Sequence, residues 1–175
     1  MKPGWPGLVL LVSLLACSPE QPSHPLAAGA GEAGDAEARE TVDFTLGDLN
    51  GMSANLSDHR GKTVVVDFWA TWCPPCLFQV PELNKLRAAH AETGDLAVIG
   101  VSVDIEGAAV VGPWVEEQGV EYTILLGDEQ LAREFGVVGF PTLAVVRPDG
   151  SVHSLHVGLV EHDELEELVA AAQAL

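Results

Sequence analysis

Apolar residues run almost unbroken from Thr63 to Ala70 and again from Leu96 to Val103. Runs of this length, rich in β-branched residues, predict strands buried on both faces at the centre of a sheet. Between them the apolar spacing lengthens. Leu77, Val80, Leu83, Leu86 and Ala89 recur at helical intervals and predict a helix over Cys76–Ala91. Val42–Leu46 and Met52–Asn55 read as short strands around the turn Leu49-Asn50-Gly51. Ala108–Gln118 reads as a helix disturbed by Pro113 and stopped at Gly119. Tyr122–Leu126 is a short strand, and Asp128–Phe135 a short helix ending at Gly136. Thr142–Arg147 and Val152–Val157 flank Pro148-Asp149-Gly150, a hairpin turn, and His162–Ala174 is a closing amphipathic helix. Strands alternating with helices imply an α/β domain, a sheet covered on both faces.

Ser18–Glu40 breaks this pattern. It is rich in Ala, Gly, Pro and Glu, with almost nothing large and apolar to bury, and reads as a flexible tether. The folded domain is therefore expected from residue 41 to residue 175. Apolar residues make up 47% of the chain, enough for a packed core, and the net charge is -18. Such acidity favours solubility and argues against nucleic acid, because no basic stripe exists to neutralise phosphates.

Three cysteines occur: Cys17, Cys73 and Cys76. The last two stand in Trp72-Cys73-Pro74-Pro75-Cys76, directly after the first buried strand. A pair at this spacing can close a small disulfide ring and reopen it. At the start of a helix, the amide dipoles favour a thiolate on the outer sulfur, which suits thiol–disulfide exchange. Cys73, at the expected exposed start, is the candidate attacking sulfur, and Cys76, one turn further in, the candidate resolving one. Pro74 and Pro75 stiffen the link, and proline is tolerated where the missing amide would be unpaired anyway. A zinc site is the competing reading. It needs four ligands, there is no second cysteine pair, and His153 and His156 fall on opposite faces of a strand. A purely structural disulfide would constrain very little chain. Asp67 lies within the apolar strand, six residues before Cys73. A carboxylate there is costly without a task or a partner.

Cys17 stands apart from this pair. Lys2 is a minimal basic region, and Leu8–Leu15 is an apolar stretch too short to span a bilayer. Leu14-Leu15-Ala16-Cys17 resembles a bacterial lipobox, which implies an export signal over residues 1–16 and a lipidated Cys17 at the head of the tether over residues 17–40.

The motif set VVVDFWATWCPPC, Pro81 in the following helix, Gly139-Phe140-Pro141-Thr142 before a strand, and Arg147-Pro148-Asp149-Gly150 between the last strands resembles the thioredoxin fold. More closely, it is similar to the TlpA/ResA-like branch of exported, membrane-anchored thiol–disulfide oxidoreductases. The resemblance covers residues 41–175. It implies a central mixed sheet flanked by helices, an N-terminal β-hairpin, and an inserted βα element at about Ala108–Leu126. It also implies that Asp67 relays a proton for Cys76. Pro141 is expected to be cis and to turn the backbone of Phe140 toward Cys73, where a substrate chain can pair with it. Trp69 is expected in the core and Trp72 at the border of the site. Cytochrome-maturation members often carry glutamate three residues after the second cysteine and a neutral residue in place of Asp67; this chain has Gln79 and Asp67. The lysine that lies near the buried acid of thioredoxin is replaced by Gly100, so Asp67 should be harder to ionise.

The implied activity is reduction of protein disulfides in a bacterial cell envelope, in cytochrome c maturation or periplasmic thiol homeostasis. Its implied partners are disulfide-bearing proteins, a membrane electron-transfer protein as reductant, and the membrane through an N-terminal lipid. No cofactor and no metal are implied. A dithiol oxidase or isomerase, and a metal-binding or chaperone module of the same fold, stand as alternatives. A peroxiredoxin-type nucleophile follows a Pro-x-x-x-Thr pattern, which is not found before Cys73.

Overall fold

The computed structural model describes residues 41–174 together with Met1. The expected signal, the tether and Cys17 lie outside the described residues. Seven strands form one sheet: β1 (Thr45–Asp48), β2 (Ser53–Asn55), β3 (Thr63–Trp69), β4 (Leu96–Ser102), β5 (Thr123–Leu126), β6 (Thr142–Val146) and β7 (Val152–Val157). Their spatial order is β2-β1-β5-β4-β3-β6-β7. The parallel trio β5-β4-β3 is bordered by antiparallel β1 on one side and antiparallel β6 on the other. Among the described residues, four α-helices accompany them: α1 (Cys76–Ala89), α2 (Ala108–Gln118), α3 (Glu129–Glu134) and α4 (His162–Gln173). This is the expected mixed sheet with flanking helices.

β3 sits between β4 and β6, and all seven of its residues are buried. That placement accounts for its continuous apolar run, because neither face meets water. Side chains alternate across it. Phe68 packs against Phe135, at 5.2 Å between ring centroids, and Phe135 also meets Phe44 at 5.9 Å. Asp67 and Trp69 point to the other face, where the Trp114 ring of α2 lies 4.4 Å from that of Trp69. α1 and α4 pack on each other and on β3, β4 and β6. α1 is tied to the residues after α2 by the Asn84 side chain, which donates to Gly119 O (2.8 Å) and accepts from Glu121 N (2.9 Å).

The inserted element, α2 and β5, has an architectural consequence. β5 pairs with β4 in parallel and with β1 in antiparallel fashion, so the N-terminal hairpin joins the sheet through the insert. The hairpin itself is displaced from its expected bounds. β1 starts at Thr45 instead of Val42, because Phe44 turns into the core and Asp43 Oδ1 accepts the amides of Phe44 (2.9 Å) and Ser57 (3.0 Å). α2 keeps its expected range and stops at Gly119, whose φ of 64° is the left-handed conformation that glycine adopts without strain.

Candidate active site

β3 ends at Trp69, and the chain leaves it as a short loop, Ala70–Pro75, before α1 begins. One carboxylate fixes this loop. Asp104, 5% exposed just beyond β4, accepts from the Thr71 amide (3.0 Å), the Thr71 hydroxyl (2.6 Å) and the Ser102 hydroxyl (2.7 Å). The Cys73 amide then donates to Ala70 O at 3.1 Å, and the Cys76 amide to Cys73 O at 3.1 Å. Pro75 caps α1 with φ −67°, close to the value its ring imposes. Cys73 and Cys76 are joined in a disulfide, their Cα atoms 5.4 Å apart.

Cys73 departs from its expected exposure. It is 4% exposed and Cys76 2%, while Trp72 and Pro74 on either side of Cys73 take the solvent-facing positions. The outer sulfur is bonded to its partner and covered, so its access is governed by the neighbouring side chains. Trp72, 59% exposed, meets Phe140 edge-on at 5.8 Å. That contact brings the cysteine loop beside the segment before β6. The Phe140–Pro141 bond is cis, and Pro141 is buried. In the β3–β6 register Phe68 faces Thr142, so Pro141 comes level with the end of β3, where the cysteine loop departs. The Thr142 hydroxyl donates to Gly139 O at 2.7 Å and braces the turn into β6.

Asp67 is 2% exposed and sits between Gly100 of β4 and Leu143 of β6. Among the described residues its Oδ1 has no hydrogen-bond partner, and neither has Trp69 Nε1 on the same face. Burial pushes the Asp67 carboxyl up to about 8. Gly100 leaves no side chain opposite the acid, and one could enter only if Ile124 gave way. A Cβ there would stand 2.6 Å from Ile124 Cδ1, 3.0 Å from Trp69 Nε1 and 3.1 Å from Tyr122 Cε2. These side chains close over the glycine and keep the acid dry. The Tyr122 phenol is itself held well above its ordinary range, by burial first and by the Asp67 charge second.

Two contributors escaped the sequence reading. Asp104 carried a signal, being an acid at the carboxyl end of a central strand, where open α/β sheets place their sites. Gln79, fully buried in α1, carried none beyond its departure from glutamate. Of the two histidines weighed as metal ligands, His153 meets the Arg147 guanidinium, while His156 lies on β7 opposite Leu143 with its Nε2 buried and without a hydrogen-bond partner among the described residues. Among the described residues no group of three or more His, Cys, Asp or Glu is arranged to hold a metal ion.

A mixed sheet that presents a closed Cys-Pro-Pro-Cys pair at a helix start, with a cis-proline alongside, defines a thioredoxin-fold thiol–disulfide oxidoreductase. The chain belongs to the AhpC/TSA family, whose model matches residues 38–155. It is 31% identical over 125 residues to the thiol-disulfide oxidoreductase ResA of Geobacillus kaustophilus, covering 71% of each chain. It is 27% identical over 136 residues to the thioredoxin-like protein YneN of Bacillus subtilis, covering 78% of this chain and 80% of that one. Among solved structures, a thiol:disulfide interchange protein of the DsbE type from Chlorobium tepidum superposes with a TM-score of 0.69 at 31% identity, over 77% of this chain and 95% of that one. The exposed lipoprotein thioredoxin of Streptococcus pneumoniae superposes with a TM-score of 0.66 at 26% identity, over 74% and 99%.

Proposed function

We propose that this oxidoreductase is an exported, lipid-anchored reductase of protein disulfides. The observation that carries the reading is the Cys73–Cys76 pair at the start of α1, with a buried acid of raised pKa on the strand that feeds it. In the reduced protein, the Cys73 thiolate attacks one sulfur of a substrate disulfide. A mixed disulfide forms and the other substrate sulfur leaves as a thiolate. Asp67, as carboxylate, takes the proton of Cys76. The Cys76 thiolate then attacks Cys73 Sγ, breaks the mixed disulfide and releases the second substrate sulfur. The substrate gains two electrons and leaves as two thiolates, which take up one proton returned by Asp67 and one from water, and the protein ends with the Cys73–Cys76 disulfide. Pro141 sets the Phe140 backbone as the edge on which an extended substrate segment pairs. No cofactor takes part.

The anchor rests on residues 1–16 as an export signal, Cys17 as the lipidated residue and residues 17–40 as tether, ahead of the catalytic domain at 41–175. The short apolar stretch ending in Ala16-Cys17 supports it, and so does the likeness to a pneumococcal protein described as an exposed lipoprotein. No helix among the described residues is long and apolar enough to cross a membrane. An envelope location removes the cytosolic reductants, so a membrane electron-transfer protein is the expected donor. Periplasmic thiol homeostasis and cytochrome c maturation are the two settings that fit this chemistry.

The equilibrium redox potential of the pair, titrated against glutathione or dithiothreitol, tests the direction. A reductase lies at the thioredoxin end of the scale, near about −270 mV, and a value near the oxidase end, about −120 mV, would reverse it. Cys17→Ser should release an active domain from the membrane and abolish lipid labelling. A wild-type protein recovered unlabelled and soluble would remove the anchor.

A further inference from the structure

Gln79 is a polar side chain with no solvent exposure at all, one turn into α1 after Cys76. Both polar atoms of its amide engage one distant residue. Nε2 donates to Val160 O at 3.0 Å, and Oε1 accepts from Val160 N at 2.9 Å. Val160 belongs to the loop between β7 and α4. Two residues earlier in that loop, the Gly158 amide donates to Pro141 O at 2.8 Å. Pro141 follows Phe140, whose ring meets Trp72, the neighbour of Cys73. The contacts form a closed circuit, from the cysteine helix through Gln79, Val160, Gly158, Pro141, Phe140 and Trp72 back to Cys73. The amide meets both demands at Val160, since that backbone residue needs a donor and an acceptor together.

We propose that Gln79 is a positioning residue for substrate binding. It clamps the Gly158–Val160 loop, and through it the Pro141 platform, at a fixed distance from the cysteine pair. The proposal rests on the reading of Pro141 and Phe140 as the edge that receives a polypeptide, so the clamp governs protein substrates and not the sulfur chemistry.

The test is Gln79→Glu beside Gln79→Met, assayed on insulin and on hydroxyethyl disulfide, at pH 5.5 and pH 9. A protonated glutamic acid reproduces the amide, with a hydroxyl donor for Val160 O and a carbonyl acceptor for Val160 N. An ionised carboxylate cannot donate and faces the Val160 carbonyl. Glu82 and Lys85 on α1 and Glu161, His162 and Asp163 at the start of α4 line the neighbouring cavity, Asp67 is the buried acid of β3, and all are common to the three proteins. For Gln79→Glu, the KM for insulin should match wild type within about twofold at pH 5.5 and rise about tenfold over it at pH 9. Gln79→Met should show the raised KM at both pH values. Turnover of the small disulfide and the redox potential should stay at wild-type values in Gln79→Met at both pH values and in Gln79→Glu at pH 5.5, whereas the ionised Gln79→Glu carboxylate at pH 9 also opposes the Cys76 thiolate. Equal losses on the two substrates in Gln79→Met, or an insulin KM unchanged in both variants, would overturn the clamp. A wild-type protein inert toward both substrates would remove the exchange chemistry itself, and the clamp with it.

Discussion

Asp67 of β3 and Gly100 of β4 stand opposite each other in parallel register, and the space above the glycine is filled by Ile124, Trp69 and Tyr122. The acid is thereby buried with no side chain across from it. Its folded-state pKa is about 8, against an ordinary 3.8. The folded protein holds this proton over a range in which the unfolded chain has released it, so stability falls as pH climbs between those values and levels off above the upper one. The span of about four pH units corresponds to a loss on the order of 5 kcal/mol. Asn at position 67 has no such titration. Urea denaturation of the oxidised protein at pH 5 and pH 9 should show wild type losing several kcal/mol more than Asp67→Asn. Parallel losses would mean that the carboxyl ionises without hindrance.

The same acid should govern the resolving step. Cys76 is buried and needs a base, whereas Cys73 has the start of α1 to favour its thiolate. Stopped-flow traces should show release of the mixed disulfide accelerating with pH through about 8 in wild type. In Asp67→Asn release should be slower, by about 100-fold for loss of a general base, and without that inflection. First attack should change little. Identical pH profiles would leave Asp67 with a structural role alone.

Asp104 holds the cysteine loop from outside. Replacing it with Ala strands the Thr71 amide and hydroxyl and the Ser102 hydroxyl in a nearly buried place. A cost of about 3 kcal/mol in unfolding free energy is expected. Trp72, exposed in the loop that Thr71 anchors, should broaden and shift its fluorescence. A change within about 0.5 kcal/mol, with Trp72 emission unaltered, would show the loop to be self-supporting.

The central strands were legible because burial on both faces writes a continuous apolar run, and β3 and β4 carry such runs. Asp67 stood out for the same reason, as the one acid inside that run. The first strand was misplaced by three residues because Phe44 reads as a strand residue, while it serves as a core anchor between β1 and Phe135. The burial of Cys73 could not be read locally: Trp72 beside it meets Phe140, 68 positions further along the chain. Gln79 was silent for a like reason: its partner lies 81 residues away, and backbone groups leave no mark in a side-chain pattern.

A second pH effect runs through His90, at the end of α1. Its Nδ1 meets Asp95 Oδ1 at 3.0 Å and its Nε2 meets Glu166 Oε2 at 3.0 Å, joining α1, the turn before β4 and α4. Burial alone would lower its pKa, but the hydrogen bonds to Glu166 and Asp95 outweigh it and hold the value raised. The Asp95 carboxyl is drawn down to about 2 by the Thr93 hydroxyl and by His90. A raised histidine contributes fully below its unfolded value of about 6.5 and loses that contribution as pH rises through the folded one. His90→Gln should therefore cost about 1 kcal/mol more at pH 5.5 than at pH 8.5. An equal cost at both pH values would show that the histidine is not charged in the cluster.

The most direct measurement is mixed-disulfide trapping with insulin, followed by non-reducing gel electrophoresis and mass spectrometry of the adduct. Reduced Cys76→Ser should accumulate a covalent complex through Cys73, because no second thiol in the pair can resolve it. Cys73→Ser should form none, and neither variant should turn over. An adduct mapped to Cys76 in the Cys73→Ser protein, or sustained insulin reduction by either single variant, would contradict the assignment of attack to Cys73 and resolution to Cys76.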